Sequence, residues 1–334
     1  MTEAGAHMRA EIAEAPGVFA RAVLAPVLAP VLADFGDVRA FYTIARGSSD
    51  AAANILSYEF MRETGKPMTS LPPSVFSLGR GVDMAGTAAI VVSQSGASED
   101  LVRSARGVRS SGGRVIAITN QPGSAVEAEA DWTQAIAAGP ELAVPATKTV
   151  IGAVGAGMAL LSQLEPDYAA RAVVSARGIA GLAGKSLPET PVLVAALLRA
   201  QHVYVIGRDT GLGAALELAL KLKECCALHA EAHSSSEVLH GPLQLVTNPL
   251  LVLILDTGQA EVQASLDTAE ARFRAAAGTV HRIRPADVGA GDLTPAAAAA
   301  ALLYLCYPLV LAAALALGHD PDRPATLSKV TQTR

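Results

Sequence analysis

The 334-residue sequence is poor in cysteine and aromatic residues: it has three cysteines, one tryptophan and an aromatic content of 4%. Cys225, Cys226 and Cys306 are odd in number and form no C-x-x-C pair, which argues against a disulfide framework or a cysteine zinc site and for small core side chains. Basic runs are absent and the formal charge is −5, which disfavours nucleic acid as the main partner. A small anion remains admissible, because local amides can hold one against the net charge. Uninterrupted apolar runs long enough for a membrane span are also missing. The nearest is 295–317, where Tyr304, Pro308 and many alanines favour a buried helix. The opening residues MTEAGAHMRAEIAEAPGVF carry three Glu and no apolar segment of signal type, so no membrane association and a cytoplasmic location are expected.

What the chain does have is apolar side chains, at 51% of residues, and a length sufficient for two ordinary domains. Residues 8–35 read as a helical arm broken near Pro26 and Pro30. Short β-prone runs follow at Ala40 to Ala45, Ala88 to Val92, Arg114 to Thr119 and Trp132 to Ile136, separated by helical patterns. A second alternating series places strands at His202 to Ile206, Leu250 to Leu255 and Thr279 to Ile283, with helices at 211–228, 260–277 and 295–317. Strands alternating with helices imply an α/β protein with parallel, doubly wound sheets. FYTIARGSSDAAANILSYEFM and HVYVIGRDTGLGAALELALKL share the order strand, polar turn, helix, so two copies of one αβα domain is the economical reading. The expected division is an arm over 1–36, a first domain over 37–187, a second over 188–318 and a tail over 319–334.

The densest chemistry lies in 211–245. Glu217, Lys221 and Glu224 recur at helical spacing and therefore share one face, and His240 follows in a Gly-Pro turn that restricts its loop. Carboxylate, amine and imidazole together are candidates for proton transfer. A second cluster, Ser93, Gln94, Ser95, Gly96 and Ser98, follows an apolar strand and opens a helix, where free N–H groups and hydroxyls suit a phosphate. Simple N-capping by Ser93 or Ser95 would explain the same residues. Ser48 and Ser49, after Gly47, are expected at the same sheet edge, where open α/β sheets bind ligands. At the corresponding place in the second half Asp256 would repel a phosphate, so one composite site is expected. His229 and His233, at i and i+4, could face a metal or simply pack, and no P-C-x-x-C follows to complete a zinc deaminase motif. Lys329 in the tail, Glu141 in a loop and Lys148 in a first turn pass on their own as solvated charges.

Taken in order, SQSGAS, ELAVPATKT, ALKLKE, HAEAHSSSEVLHGPLQL and PATLSK resemble the sugar isomerase (SIS) fold, and most closely the isomerase half of glucosamine-6-phosphate synthase. The resemblance runs from about Phe41 to Lys329. It implies two SIS domains, a sugar-phosphate substrate and neither cofactor nor metal. By that resemblance Ser48, Ser49, Ser93, Gln94, Ser95 and Ser98 would bind phosphate, with Gly47, Gly96, Ala146 and Thr147 supporting the site. Glu224 would shuttle a proton between C1 and C2, beside Lys221 and a supporting Glu217. His240 would assist ring opening from across a homodimer interface, and Lys329 would meet the open-chain sugar. Arg46 stands where a small residue or Cys is common, and Ala146 where a hydroxyl is often found. No cysteine precedes Cys225, so the glutaminase chemistry of that synthase is not expected here. The implied reaction is catabolic, from glucosamine 6-phosphate to fructose 6-phosphate and ammonia. A deglycase of an amine-linked fructose phosphate, a plain aldose/ketose isomerase and a catalytically silent sugar-phosphate sensor are the alternatives.

Overall fold

The structure is a computed structural model that describes residues 3–25, 35 and 37–329. The expected breaks at Pro26 and Pro30 lie outside the described residues. Ahead of the first sheet runs α1 (Ala6–Leu24), which buries Met8, Ile12, Ala15, Phe19 and Ala22 on one face, at helical spacing.

The first sheet comprises β1 (Ala40–Ile44), followed by α2 (Gly47–Thr64), β2 (Met68–Ser70), β3 (Thr87–Ser93), α3 (Glu99–Ser110), β4 (Arg114–Thr119) and β5 (Trp132–Ala135). All its pairings are parallel, in the order β2-β1-β3-β4-β5. Strands such as TAAIVVS read as continuous apolar runs because both faces are covered by helices. The helices α4 (Lys148–Leu164), α5 (Pro166–Ala180) and α6 (Thr190–Arg199) lead to the second sheet. There β6 (His202–Gly207), α7 (Thr210–Cys226), β7 (His229–Ser234), β8 (Leu250–Leu255), α8 (Ala260–Ala275) and β9 (Thr279–Ile283) give a parallel sheet ordered β7-β6-β8-β9, and α9 (Pro295–Ala316) follows.

In both sheets strand order reverses next to the first strand, between β1 and β3 and between β6 and β8. At such switch points the chains leaving the carboxyl ends diverge and open a crevice. The strands β2 and β7 escaped the periodicity reading, as did α6. β2 is three residues long, and β7 reads HAEAHS, with no β-branched or aromatic residue to mark an edge strand.

α9 is long and apolar enough to cross a membrane by length and composition, but 83% of its most apolar window is buried inside the protein. Its polar groups are used internally. Tyr304 Oη accepts the Gly184 N–H at 3.1 Å and Tyr307 Oη donates to Glu217 Oε1 at 3.2 Å. The three cysteines are free and buried.

Glu59, fully buried on α2, joins three helices: its carboxylate accepts from Tyr168 Oη on α5 at 2.8 Å and from the Ala296 N–H of α9 at 3.3 Å. Burial raises its pKa from 4.5 to about 7, outweighing these bonds. Between those two values the folded chain keeps a proton that the unfolded chain has lost, so stability falls as pH rises and the penalty is complete above the folded pKa. Glu59→Gln is therefore expected to show a smaller loss of stability between pH 5 and pH 8 than the parent protein, measured by denaturant unfolding at each pH. An unchanged slope would reject this.

Candidate active site

The carboxyl ends of β1 and β3 carry the two hydroxyl-rich turns. Gly47, Ser48 and Ser49 begin α2, with Arg46 in extended backbone just before them. Ser93 ends β3, and α3 begins only at Glu99, with Ser98 at the cap position and no side-chain cap bond. Ser93 and Ser95 therefore do not cap the helix, which corrects the capping alternative. Ser93 Oγ accepts the Gly96 N–H at 3.1 Å and Ser95 Oγ accepts the Ala97 N–H at 3.3 Å, closing the turn itself. Gly96 is required there: its φ is +60°, and a Cβ would lie 2.1 Å from Ser124 Oγ.

The second half of the site arrives on α7. Gly213 lets this helix press against α2, since a Cβ there would come within 2.5 Å of Ile55 Cγ1 and 2.9 Å of the Ala51 carbonyl. This approach carries Lys221 Nζ to within 2.9 Å of Ser48 Oγ, to which it donates. On the same helical face Lys221 bonds Glu224 and lies 3.4 Å from Glu217. The shared face read from the spacing is thus observed.

The side chains of Glu217 and Lys221 are inaccessible to solvent, while that of Glu224 is 23% exposed. Burial pushes Glu217 up to about 7, Lys221 opposing and Glu224 reinforcing the rise. Its Oε2 is buried without a hydrogen-bond partner. Burial works against the Lys221 charge, but the two carboxylates outweigh it and raise its pKa. The group is a cation held between a buried acid and a carboxylate that reaches the cavity.

That cavity measures about 320 Å³ and is lined by Arg46, Gly47, Ser48, Ser49, Ser93, Gln94, Ser95, Ser98, Leu101, Val144, Ala146, Glu224 and 327–329. Every expected phosphate-binding residue, Glu224 and Lys329 meet there, from segments far apart in sequence. Gly96 and Thr147 lie behind the lining, and Thr147 Oγ1 is buried without a hydrogen-bond partner. A larger groove of about 490 Å³ lies at the amino ends of β6, β8 and β9, and among the described residues Arg199 is its one ionisable lining residue.

His240 is not brought to this cavity. It is exposed at the end of a short 3₁₀ turn, Glu237–His240, and Tyr204 Oη fixes the following Pro242 by donating to its carbonyl at 3.0 Å. His229 and His233 lie on strand β7, where residues four apart share a face but stand about 13 Å apart along the strand, too far to ligate one metal. His229 Nδ1 is 3.2 Å from His202 Nδ1, and His233 stacks edge-on against Tyr204. Among the described residues no group of three or more His, Cys, Asp or Glu could hold a metal.

Of the remaining charges, Glu141 and Lys148 differ from the sequence expectation and Asp256 is paired internally. Asp256 is buried and its carboxylate is consumed by Arg282 Nε, Gln263 Nε2 and the Gly258 N–H at 2.8–2.9 Å. Glu141 is no loop charge: it is buried and accepts the Thr147 and Thr149 N–H groups at 2.9 and 3.1 Å, shaping the turn into α4. Lys148, also buried, pairs with Glu14 of α1 at 2.6 Å. Two threonines flanking Lys148 in ATKT were the available signal for Glu141, as donors spaced for one acceptor. Arg46 was noted as unusual, and its partner is now visible: Nε and Nη2 both reach Asp100 Oδ2, at 2.9 and 2.8 Å, across the cavity rim.

Fold and site together define a two-lobed parallel α/β protein that gathers two hydroxyl-rich turns at a switch point, against a buried acid–amine pair from the other lobe. The chain belongs to the SIS domain family, whose model matches residues 35–163 and 196–280. It is 34% identical over 265 residues to glutamine–fructose-6-phosphate aminotransferase [isomerizing] of Symbiobacterium thermophilum, covering 72% of this chain and 43% of that one. The chain thus spans less than half the length of that relative. Among solved structures it is similar to a protein of Silicibacter pomeroyi provisionally described as a phosphosugar isomerase, with a TM-score of 0.82, 33% identity and coverage of 94% of this chain and 99% of the other. Its fold also resembles glucosamine-6-phosphate deaminase of Thermotoga maritima, with a TM-score of 0.75, 18% identity and coverage of 98% and 100%.

Proposed function

We propose that this protein is a phosphosugar isomerase acting on a hexose 6-phosphate, and that its substrate is glucosamine 6-phosphate, converted with water to fructose 6-phosphate and ammonia. The observation that carries this reading is the placement of Glu224, bonded to Lys221, in the same cavity as six polar side chains from two helix-initiating turns. A pure phosphate binder needs the turns but not the carboxylate. The names of the full-length relative and of the 33% identical structure support the sugar-phosphate class.

In this mechanism Ser48, Ser49, Ser93, Gln94, Ser95 and Ser98 hold the phosphate. Glu224 removes the C2 proton of the open-chain sugar and returns it to C1, while a proton passes from the amino group to O1, giving a C2 imine that water hydrolyses to the ketone and ammonia. Lys221, beside Glu224, stabilises the negative charge that develops on the enediol oxygen as the proton leaves C2, and Lys329 meets the open chain. His240 opens the ring from a neighbouring subunit, so a cytoplasmic homodimer is part of the same proposal. Ammonia and fructose 6-phosphate should both appear, in equal amounts, when the purified protein is given glucosamine 6-phosphate. Binding without either product would favour the silent sensor. A deglycase is the second reading, favoured by Arg46 at the cavity rim, where its exposed guanidinium could meet an acidic nitrogen substituent. Turnover of an amine-linked fructose 6-phosphate, and not of glucosamine 6-phosphate, would select it.

A further inference from the structure

Lys329 lies in the tail, after a series of turns that follows α9, yet its amine is held in a definite place: it donates to the Ala143 carbonyl and lies 3.5 Å from Glu141 Oε2. What holds the tail is the beginning of the chain. The helix α1 starts after Gly5, which has no side chain to cap the first turn, and its N–H groups are satisfied from the tail instead. Asp322 Oδ2 accepts the His7 N–H at 2.9 Å, Asp322 Oδ1 accepts the Met8 N–H at 2.8 Å, and Asp320 Oδ1 accepts the Gly5 N–H at 3.1 Å. Asp322 is 3% exposed, and its negative charge faces the positive end of a five-turn helix.

The same helix holds the loop on which Lys329 rests. Glu11 Oε1 accepts the Leu142 N–H and, at 3.3 Å, the Ala143 N–H, while the Val144 N–H donates to the Asp322 carbonyl at 3.0 Å. Asp322 therefore touches both α1 and the loop that receives the lysine. No residue of α1 lines the cavity.

We propose that Asp322 is a positioning residue: by capping α1 and bonding the 141–144 loop, it sets the tail so that the Lys329 amine stands at the cavity. This rests on the role given to Lys329 above. Because a small displacement of a reacting group can cost about 10- to 100-fold in rate, Asp322→Ala should lower kcat by that order while KM moves by no more than about twofold, the phosphate turns being intact. Asp322→Asn, which keeps one acceptor oxygen, should fall between. In parallel, the rate at which a small acylating reagent modifies Lys329, followed by mass spectrometry, should rise in Asp322→Ala, since the amine is then released from Ala143 and Glu141. A purely structural cap would lower the melting temperature and leave kcat per folded molecule and Lys329 reactivity unchanged, and that result overturns the proposal. If Asp322→Ala does not fold, Asp322→Asn carries the same two readouts. Lys329→Ala separates the two levels: full activity in it removes the role of Lys329, whereas an inactive Lys329→Ala beside a fully active Asp322→Ala removes only the role of Asp322.

Discussion

Glu224→Gln is expected to bind sugar phosphate with near-parental affinity and to turn it over about 10² to 10⁴ times more slowly, the usual loss when a positioned general base is removed. The argument is geometric. Among the described residues Glu224 is the one carboxylate lining the cavity, it is partly exposed there, and it is bonded to an ammonium that is itself buried. The amide keeps the size and one acceptor oxygen, so Lys221 and the serine turns have no reason to move. Calorimetric titration with fructose 6-phosphate and a steady-state assay on the same preparation give both numbers. Near-normal turnover would remove Glu224 from its role, and lost binding would show that the substitution disturbs the phosphate turns.

Lys221→Met should destabilise the fold by about 3–5 kcal/mol, because removing one partner of a buried ionic group leaves the other charges uncompensated. Lys221 is fully buried between Glu217 and Glu224, and it alone opposes the rise in the Glu217 pKa through its charge. Without it the two carboxylates of one helical face, two turns apart, have no cation between them, and Glu217 should hold its proton to still higher pH. The double variant Lys221→Met/Glu217→Gln removes the buried acid as well and should recover part of the loss. Urea denaturation of the three proteins at one pH measures this. A loss below about 1 kcal/mol in the single variant would mean that the pair is not desolvated as the structure has it.

Much of the site could be read from local pattern. The strand runs ending at Ala45 and Val92 were marked by apolar residues followed by Gly and Ser, so the position of both hydroxyl turns at a sheet edge followed from alternation alone. The common face of Glu217, Lys221 and Glu224 followed from helical period. Other features had no local signature. The strand β7 contains nothing that favours a strand, and it forms because β6 presents an unpaired edge to it. Glu141 and Lys148 look like surface charges until α1 and the tail cover them. His240 sits in the constrained turn that its Gly-Pro neighbours imply, but it stays outside the cavity of its own chain.

The repeating strand–helix order, the two serine turns and the acid–amine–acid face were legible in the residues alone, because each depends on backbone and side-chain geometry within a few residues. That they belong to one site follows only from how the lobes pack. Lys221 reaches Ser48 across 173 positions because glycine at 213 lets α7 lie close against α2. Lys329 reaches Glu141 because Asp322 caps a helix more than 300 positions earlier. Such contacts depend on how whole helices pack, a balance of burial and close approach summed over both lobes, and no short stretch of residues encodes it.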